Sequence, residues 1–303
     1  MANTNFNRFA SVADAAPAVA LTAPAFGILP WASGTEIRLM SASTVSPVMM
    51  PNGASAGTYN TSYWVEGTYS GQFGRDASID LALQSMLMNA YSTKVLVPGQ
   101  LEKPVCYEKT FTDNGASFYR QARGCQHSKL DLKWDAESIV NFSTDFTGLS
   151  DSRVATMIVS ATYAQPSNTK KLTGADVSVT IGSLGTAQMK KGSISIDMAR
   201  KPQTVCGPSL YAVGIGTSGA RKVEYSFTFY KRDFTFETAL IGNVAQAVSV
   251  NFGAANTGYK FDSANVVFES PEDEDDDSGQ MVTIKGTASY DTTALADLKI
   301  TQL

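Results

Sequence analysis

The sequence predicts a fold built mainly from β-strands, and both its patterning and its composition support this. Short segments in which apolar and polar residues alternate recur along the whole chain of 303 residues. Clusters of Gly, Asn, Asp and Ser separate these segments, as turns separate strands. Charged residues make up 17% of the chain, less than the quarter that is usual in soluble domains. We therefore expect an all-β or strongly β-weighted protein.

The strand candidates are segments whose alternation would place one face in a core and the other in solvent. They are residues 37–40, 63–73, 105–111, 118–134, 139–146, 177–181, 194–198, 223–230, 248–252, 259–268 and 281–290. Two further segments, 76–88 and 234–244, have the three- and four-residue apolar spacing of an amphipathic helix. Asp76 can cap the start of the first of these helices.

An internal repeat divides the chain into two halves. Val65-Glu66 opens a strand that leads into the first helix candidate, and Val223-Glu224, 158 residues later, opens a strand that leads into the second. Residues 165–172 lack periodicity and are rich in turn-forming residues, so we place a boundary there. The predicted organisation is an extended N-terminal arm (1–35) followed by two duplicated domains (36–165 and 172–303).

The charge balance argues against a protein that grips nucleic acid. The net charge is −4 and the pI is about 5.1, whereas tight binding to phosphates needs a basic surface. Cys106, Cys125 and Cys206 are odd in number and lack CxxC spacing, so we expect free thiols and a reducing folding compartment. Residues 15–31 are apolar but interrupted by prolines, which argues against a membrane span or a signal peptide.

No pattern in the sequence indicates catalysis or a cofactor. A nucleophile–His–acid site is not supported, because the sequence has a single histidine, His127, and no GxSxG elbow. Residues 214–219 match GxGxxG, but a predicted strand follows them instead of a helix, so we do not expect a phosphate site. We predict that the protein is not an enzyme and uses no cofactor.

Metal binding has little support. Cys106, Cys125 and His127 supply at most three ligands, whereas a structural zinc site needs about four. An acidic run lacks the Gly and Glu positions of a helix-loop-helix calcium site. Its residues are Glu272, Asp273, Glu274, Asp275, Asp276 and Asp277. We predict no metal site, with loose binding of divalent cations to this run as the alternative.

One stretch of the sequence resembles a known family. Residues 108–115 read EKTFTDNG, and Phe118-Tyr119-Arg120 and Arg123-Gly124-Cys125 follow. Together they resemble the E-(x)-F-T-D-x-G … F-x-x-x-G-C stretch in the major tail tube proteins of siphophages, which have long non-contractile tails. The strand at 65–71 and the helix candidate are also similar to this family. The resemblance covers roughly residues 37–150 and extends to the second half through the repeat.

The resemblance implies a β-sandwich with one flanking helix in each tube domain. It also implies a virion structural protein that self-assembles into stacked rings, the tail tube through which DNA is ejected. A chain with two such domains would form homotrimeric, pseudo-hexameric rings, with a hexamer as the alternative. Other implied partners are the tape measure protein, the tail terminator and distal tail proteins, and genomic DNA that passes without specific binding. The implied location is the virion tail, made in the host cytoplasm, with no membrane.

Two long loops are candidates for contacts in such an assembly. The loop at 41–62 bears Val45, Val48, Met49 and Met50, and apolar residues on so long a loop indicate docking, here onto the next ring. The loop at 271–279 carries the acidic run, whose carboxylates repel one another. We expect this run to be mobile and exposed at a ring edge or the outer surface, and dispensable for assembly. A position in the lumen and a cation-dependent contact with a neighbour are the alternatives.

Two other classes of protein stay open at this point. One is another virion β protein, such as a baseplate, decoration or fibre subunit. The other is a carbohydrate-binding β-sandwich module, which would need exposed aromatic residues clustered in one groove. Trp31, Trp64 and Trp134 are too scattered in the sequence to indicate such a groove.

Overall fold

The computed structural model describes residues 5–52, 54–113, 116–166, 171–182, 189–207, 209–231, 244–269, 271–276 and 279–303. Strands dominate these residues, which confirms the expectation of a mainly β protein. Within the same ranges there is one α-helix, α1 (Ala77–Leu87), and a single 3-10 turn at Gly174–Asp176.

The described strands are distributed along the whole chain. They are β1 (Asn5–Ala13), β2 (Ala25–Ile28), β3 (Glu36–Val45), β4 (Thr58–Gln72), β5 (Val95–Leu96), β6 (Val105–Asp113), β7 (Ala116–Asp135), β8 (Asn141–Gly148), β9 (Ser150–Val154), β10 (Thr162–Ala164), β11 (Val177–Ile181), β12 (Met189–Asp197), β13 (Arg200–Gln203), β14 (Gly214–Thr217), β15 (Lys222–Tyr230), β16 (Gln246–Phe252), β17 (Tyr259–Phe268), β18 (Glu272–Asp276), β19 (Gly279–Ser289) and β20 (Lys299–Gln302).

A continuous run of eight strands forms the centre of the sheet, and we call it the long sheet. Its order is β3, β4, β8, β7, β12, β15, β19 and β17, and every neighbouring pair is antiparallel. The junction between β7 and β12 joins strands from the two halves of the chain. The long sheet therefore passes without a break from one half of the sequence to the other.

The two halves repeat one order of strands. In the first half it is β1, β6, β7, β8, β4 and β3. In the second half it is β11, β16, β17, β19, β15 and β12. Strands at the same place in the two orders also have the same succession along the chain. The helix predicted at 234–244 lies outside the described residues, which resume at Val244.

Apolar side chains from both halves share one core. At its centre the ring of Phe73, just after β4, lies 6.1 Å from the ring of Phe142 and 5.4 Å from those of Phe252 and Tyr259, measured between centroids. Phe142 belongs to the first half and the last two residues to the second. Burying a large apolar side chain stabilises a fold by about 1.5–3 kcal/mol. This shared packing therefore holds the two halves together in addition to the strand junction.

Helix α1 begins where the sequence predicts. The side chain of Asp76 accepts a hydrogen bond from the backbone N–H of Ser78 over 3.0 Å, which caps the free N–H groups of the first turn. The helix ends at Met88, whose backbone is left-handed. Ile79, Leu83 and Met86 are buried, so the apolar stripe faces the core.

The N-terminal segment is extended but built into the sheet, because β1 pairs with β6 and with β2. A buried ion pair anchors it: Arg123 donates to Asp14 through Nε over 2.8 Å and through Nη2 over 2.7 Å. The N–H of Gly124 donates to the same carboxylate. Gly124 has a φ of +64°, a left-handed conformation that favours glycine, where β7 exchanges β6 for β8 as its neighbour.

Candidate assembly surface

One face of the long sheet packs into the core and the other is polar. Along β4, Val65 and Tyr69 are fully buried, whereas Glu66 and Thr68 point to the opposite side, since successive side chains of a strand alternate between faces. Directly paired residues share a face, so the register carries this pattern across the sheet. The charged residues on this polar face are Glu36, Arg38, Glu66, Lys129, Asp131, Lys133, Asp135, Asp145, Lys191, Asp197, Lys222, Glu224 and Lys285.

Small polar side chains bridge neighbouring strands on this face. Thr68 Oγ1 donates to Asp145 Oδ1 over 2.8 Å between β4 and β8. At the junction of the two halves, Ser195 Oγ on β12 donates to Asp131 Oδ1 on β7 over 2.7 Å. Asp131 also lies 2.9 Å from Lys129 Nζ, and this hydrogen bond raises the pKa of Lys129. The junction is thus fixed by side chains as well as by the backbone ladder.

The charges on the polar face are mixed in sign. Lys222 Nζ lies 2.7 Å from Glu224 Oε1, and Arg38 Nη2 lies 2.5 Å from Glu36 Oε1. Each pair sits on one strand with its members two residues apart, so opposite charges neutralise each other locally. The face is hydrophilic without the concentrated positive charge that phosphate binding needs.

The loop predicted at 41–62 is largely a hairpin. Val45 ends β3, and the two chains stay paired beyond it: Ala56 N donates to Val48 O over 2.9 Å, and Met50 N donates to Ala54 O over 2.7 Å. We call residues 46–57 the hairpin arm. Val48 is 60% and Met49 74% exposed, and Val45 and Met50 are exposed as well. The four apolar residues singled out from the sequence are therefore together at the arm and accessible to a partner.

The acidic run lies in a strand, which corrects the predicted loop. Glu272–Asp276 form β18, antiparallel to the start of β19, while Asp277 lies outside the described residues. Glu272 Oε2 lies 2.8 Å from Lys285 Nζ, and Asp273 Oδ2 lies 2.7 Å from Lys231 Nζ. The run forms a strand because its backbone pairs with residues 279–283 of β19, and such pairing does not require apolar alternation in the sequence.

The long sheet has an unpaired edge at each end, in the part of the chain that the structure describes. At one end β3 pairs only with β4. At the other end the last residues of β17 pair with β19 and, through Val266, with Gln246 of β16, so the open edge is that of β18, which continues along β19. Arg120 Nη1 donates to the carbonyl oxygen of Ile37 on β3 over 2.6 Å. A carbonyl oxygen can accept a second bond, so β3 keeps its capacity to pair.

The residues considered for chemistry take the following positions in the described part of the chain. His127 is buried, its Nε2 lies 2.7 Å from the hydroxyl of Tyr107, and burial and then Arg200 lower its pKa to about 3. Cys106 and Cys125 are buried free thiols and Cys206 is an exposed one. Residues Gly214–Thr217 form β14.

The described residues contain no group of three or more His, Cys, Asp and Glu side chains that could hold a metal ion. No helix in the described part of the chain has the length and apolar character needed to cross a bilayer.

Sequence reasoning did not single out the residues at the strand junction and the sheet edges. Asp131, Ser195 and Arg38 were visible only as the polar members of alternating segments. The internal repeat contains part of this information, because it places the strand of Asp131 in the first half and the strand of Ser195 in the second. Their contact could not be predicted without the order of the strands.

Comparison with known protein families gives one match over most of the chain. A family model described as phage tail tube protein matches residues 10–296, which include all of the long sheet, the hairpin arm and the acidic strand. The comparison with curated proteins gives no match.

Proposed function

We propose that the chain, which belongs to the phage tail tube protein family, joins further copies of itself through the two free edges of the long sheet. Membership in the family confirms the resemblance seen in the sequence and makes the protein a structural component of the virion tail. In this proposal the joined copies close into a ring, and rings stack into the tube that conducts DNA during ejection.

The observation that carries this proposal is a sheet that is continuous across the two halves and has, among the described residues, an open strand edge at each end. An exposed strand edge is a template for pairing with another chain, and closing a sheet into a barrel removes it. Three copies would supply about 24 strands; at ~4.8 Å spacing and ~40° tilt the backbone diameter is roughly 48 Å. Side chains would narrow this to about 35–40 Å, which still admits a DNA duplex of roughly 20 Å.

We propose a homotrimeric, pseudo-hexameric ring with two tube domains per chain, at 36–165 and 172–303. The equal strand order of the two halves supports a division between residues 165 and 172, and it adds β1 from the predicted N-terminal arm to the first domain. The proposed lumen is the polar face, where paired charges such as Lys222 and Glu224 offer no cluster of cations to hold phosphates. DNA and the tape measure protein would pass along it without specific binding, and terminator and distal tail proteins would close the tube ends.

The hairpin arm is the proposed contact between rings. It extends the antiparallel ladder of β3 and β4 by about six residues, or roughly 20 Å at the rise of a strand. Val48 and Met49 lie exposed on it, and burying them on a neighbouring ring would remove apolar surface from water. This arm has the reach and chemistry of a stacking contact.

Electron microscopy and native mass spectrometry of the purified protein test the proposal. We expect rings of three chains that stack into tubes with an open centre. A protein that stays monomeric under conditions that favour assembly, or that forms sheets or fibres without a lumen, would rule out the tube function proposed here.

A further inference from the structure

The junction between β7 and β12 is an internal example of how two tube domains meet. Residues 129–135 of β7 pair antiparallel with residues 191–197 of β12. In the strand order of the two halves, β12 corresponds to β3, and β17 followed by β18 corresponds to β7, with β18 at the place of residues 131–135. The unpaired edges of the chain are therefore the same two edges that already meet inside it.

We infer, on the basis of the proposed ring, that β18 of one copy pairs antiparallel with β3 of the next, in a register that sets Glu272 opposite Arg38. This makes the acidic run an assembly contact, in place of the expectation from the sequence that it is dispensable. The partner is thus a second copy of this chain. Ring formation alone would not fix which strands meet or which residues face each other.

The register of β3 follows from the repeat. Glu66 and Glu224 correspond in the two halves; Arg38 lies opposite Glu66, and Ser195 lies opposite Glu224. Arg38 on β3 therefore occupies the place that Ser195 occupies on β12.

The register of the other edge follows from the next strand pairs. Ser70 and Thr228 each lie four residues beyond the corresponding glutamates, and they pair with Ser143 and Thr283. Asp131 lies opposite Ser143, and Glu272 lies opposite Thr283. Glu272 on β18 therefore occupies the place of Asp131 on β7. Since Asp131 and Ser195 face each other inside the chain, Glu272 faces Arg38 between copies.

The chemistry of the two junctions agrees. Inside the chain, the carboxylate of Asp131 accepts from Ser195 Oγ over 2.7 Å. In the contact between copies, Glu272 supplies the carboxylate in place of Asp131, and the guanidinium of Arg38 replaces Ser195 Oγ as the donor. Their side chains are 59% and 66% exposed, so both can reorient from Lys285 and Glu36, which they contact in the single chain. A cross-strand pair of opposite charge stabilises the pairing of two strands.

The same register places Glu36 opposite position 274, which is also a glutamate. Like charges directly opposite each other destabilise a strand pair. Arg38 lies next to Glu36 on the same face of β3 and diagonally opposite position 274, so its positive charge offsets part of this repulsion. Ring closure should therefore be unusually sensitive to the charge of Arg38.

Charge reversal tests the contact. We expect Arg38→Glu and Glu272→Arg each to lower the ring yield at least tenfold while the thermal unfolding of the single chain changes little. The chain with both changes should recover most of the yield. Wild-type ring yields from either single variant, or no recovery in the double variant, would overturn the inference.

Cysteine cross-linking tests the register and separates it from the proposed function. Cys206→Ser first removes the exposed thiol. A chain with Arg38→Cys is then mixed with a chain carrying Glu272→Cys, because opposite residues lie about 4.5–5.5 Å apart at Cα, within disulfide range. The matched control pairs Arg38→Cys with Glu274→Cys, two residues out of register.

We expect oxidation of assembled rings to link 38 with 272 much more efficiently than 38 with 274. Rings that form but cross-link only in the shifted pair, or in neither, would refute the register and leave the proposed function standing. Failure of the wild-type chain to form rings would instead refute the proposed function, and the inference with it.

Discussion

Single ion pairs contribute to this protein according to how deeply they are buried. Arg123 and Asp14 form a two-bond contact in the interior and also bind the backbone at Gly124. Lys222 and Glu224 form a pair on the polar face that is open to solvent. Exposed pairs are screened by water and contribute little, whereas a buried charge that loses its partner is costly.

Removing the carboxylate of Asp14 should therefore destabilise the fold strongly. Asp14→Ala leaves the guanidinium of Arg123 buried without its counter-charge, and we expect the free energy of unfolding to fall by about 3–5 kcal/mol. Denaturant unfolding of the single chain measures this. Glu224→Ala on the polar face is the control and should shift the midpoint only slightly; equal effects of the two substitutions would contradict this account of the anchor.

His127 should make stability depend on pH. Its pKa in the folded chain is about 3, below the value of about 6.5 for a solvated histidine. Between these values the unfolded chain binds a proton that the folded chain does not. The free energy of unfolding should therefore decrease as the pH falls through this window, by about 1.4 kcal/mol per pH unit.

The variant His127→Gln isolates this contribution. Carboxylates also titrate at low pH. The useful quantity is therefore the slope of the free energy of unfolding against pH, compared between the variant and the wild type by denaturant unfolding from pH 7 to pH 4. We expect the variant to have the shallower slope. Parallel slopes would mean that His127 is accessible to protons in the folded protein.

At the level of elements, alternation in the sequence predicted the strands of both halves well. Each predicted segment overlaps an observed strand, and residues 177–181 coincide with β11. Helix α1 was predicted from apolar spacing and from Asp76, which does cap it. These elements are predictable because local spacing and core burial agree.

The remaining elements depend on contacts that local spacing does not show. Strand β18 consists of acidic residues and exists because β19 pairs with it. Strand β1 lies in a segment predicted as an arm, and β6 and the pair of Arg123 with Asp14 hold it. The hairpin arm was predicted as a loop because its ladder bonds cross a Pro- and Gly-rich segment.

The hairpin arm should be required for stacking but not for rings. Replacing Val48, Met49 and Met50 by Ser removes the apolar surface and keeps the backbone ladder, so we expect intact rings and loss of long tubes in electron micrographs. Deletion of 48–52 should act in the same direction. Val159→Ser is the control, since Val159 is exposed elsewhere on the surface. Tubes of normal length from the triple variant would show that rings stack through another surface.

At the level of the whole molecule, the chain joins two similar halves through a continuous sheet and a shared core. The junction of β7 with β12 and the packing around Phe73 both cross the boundary of the repeat. The sequence showed the repeat, but the number of free edges follows only from the strand order. This arrangement leaves two strand edges for pairing with other copies, whereas two separate domains would leave four.

Cryo-electron microscopy of assembled tubes tests the central claim most directly. The account predicts that each ring contains three chains and a closed barrel of about 24 strands. Thr68, Ser195 and Glu224 should line its lumen, and β3 of each chain should lie beside β18 of its neighbour. A ring whose lumen is lined by another surface, or in which the edge of β3 stays unpaired, would contradict it.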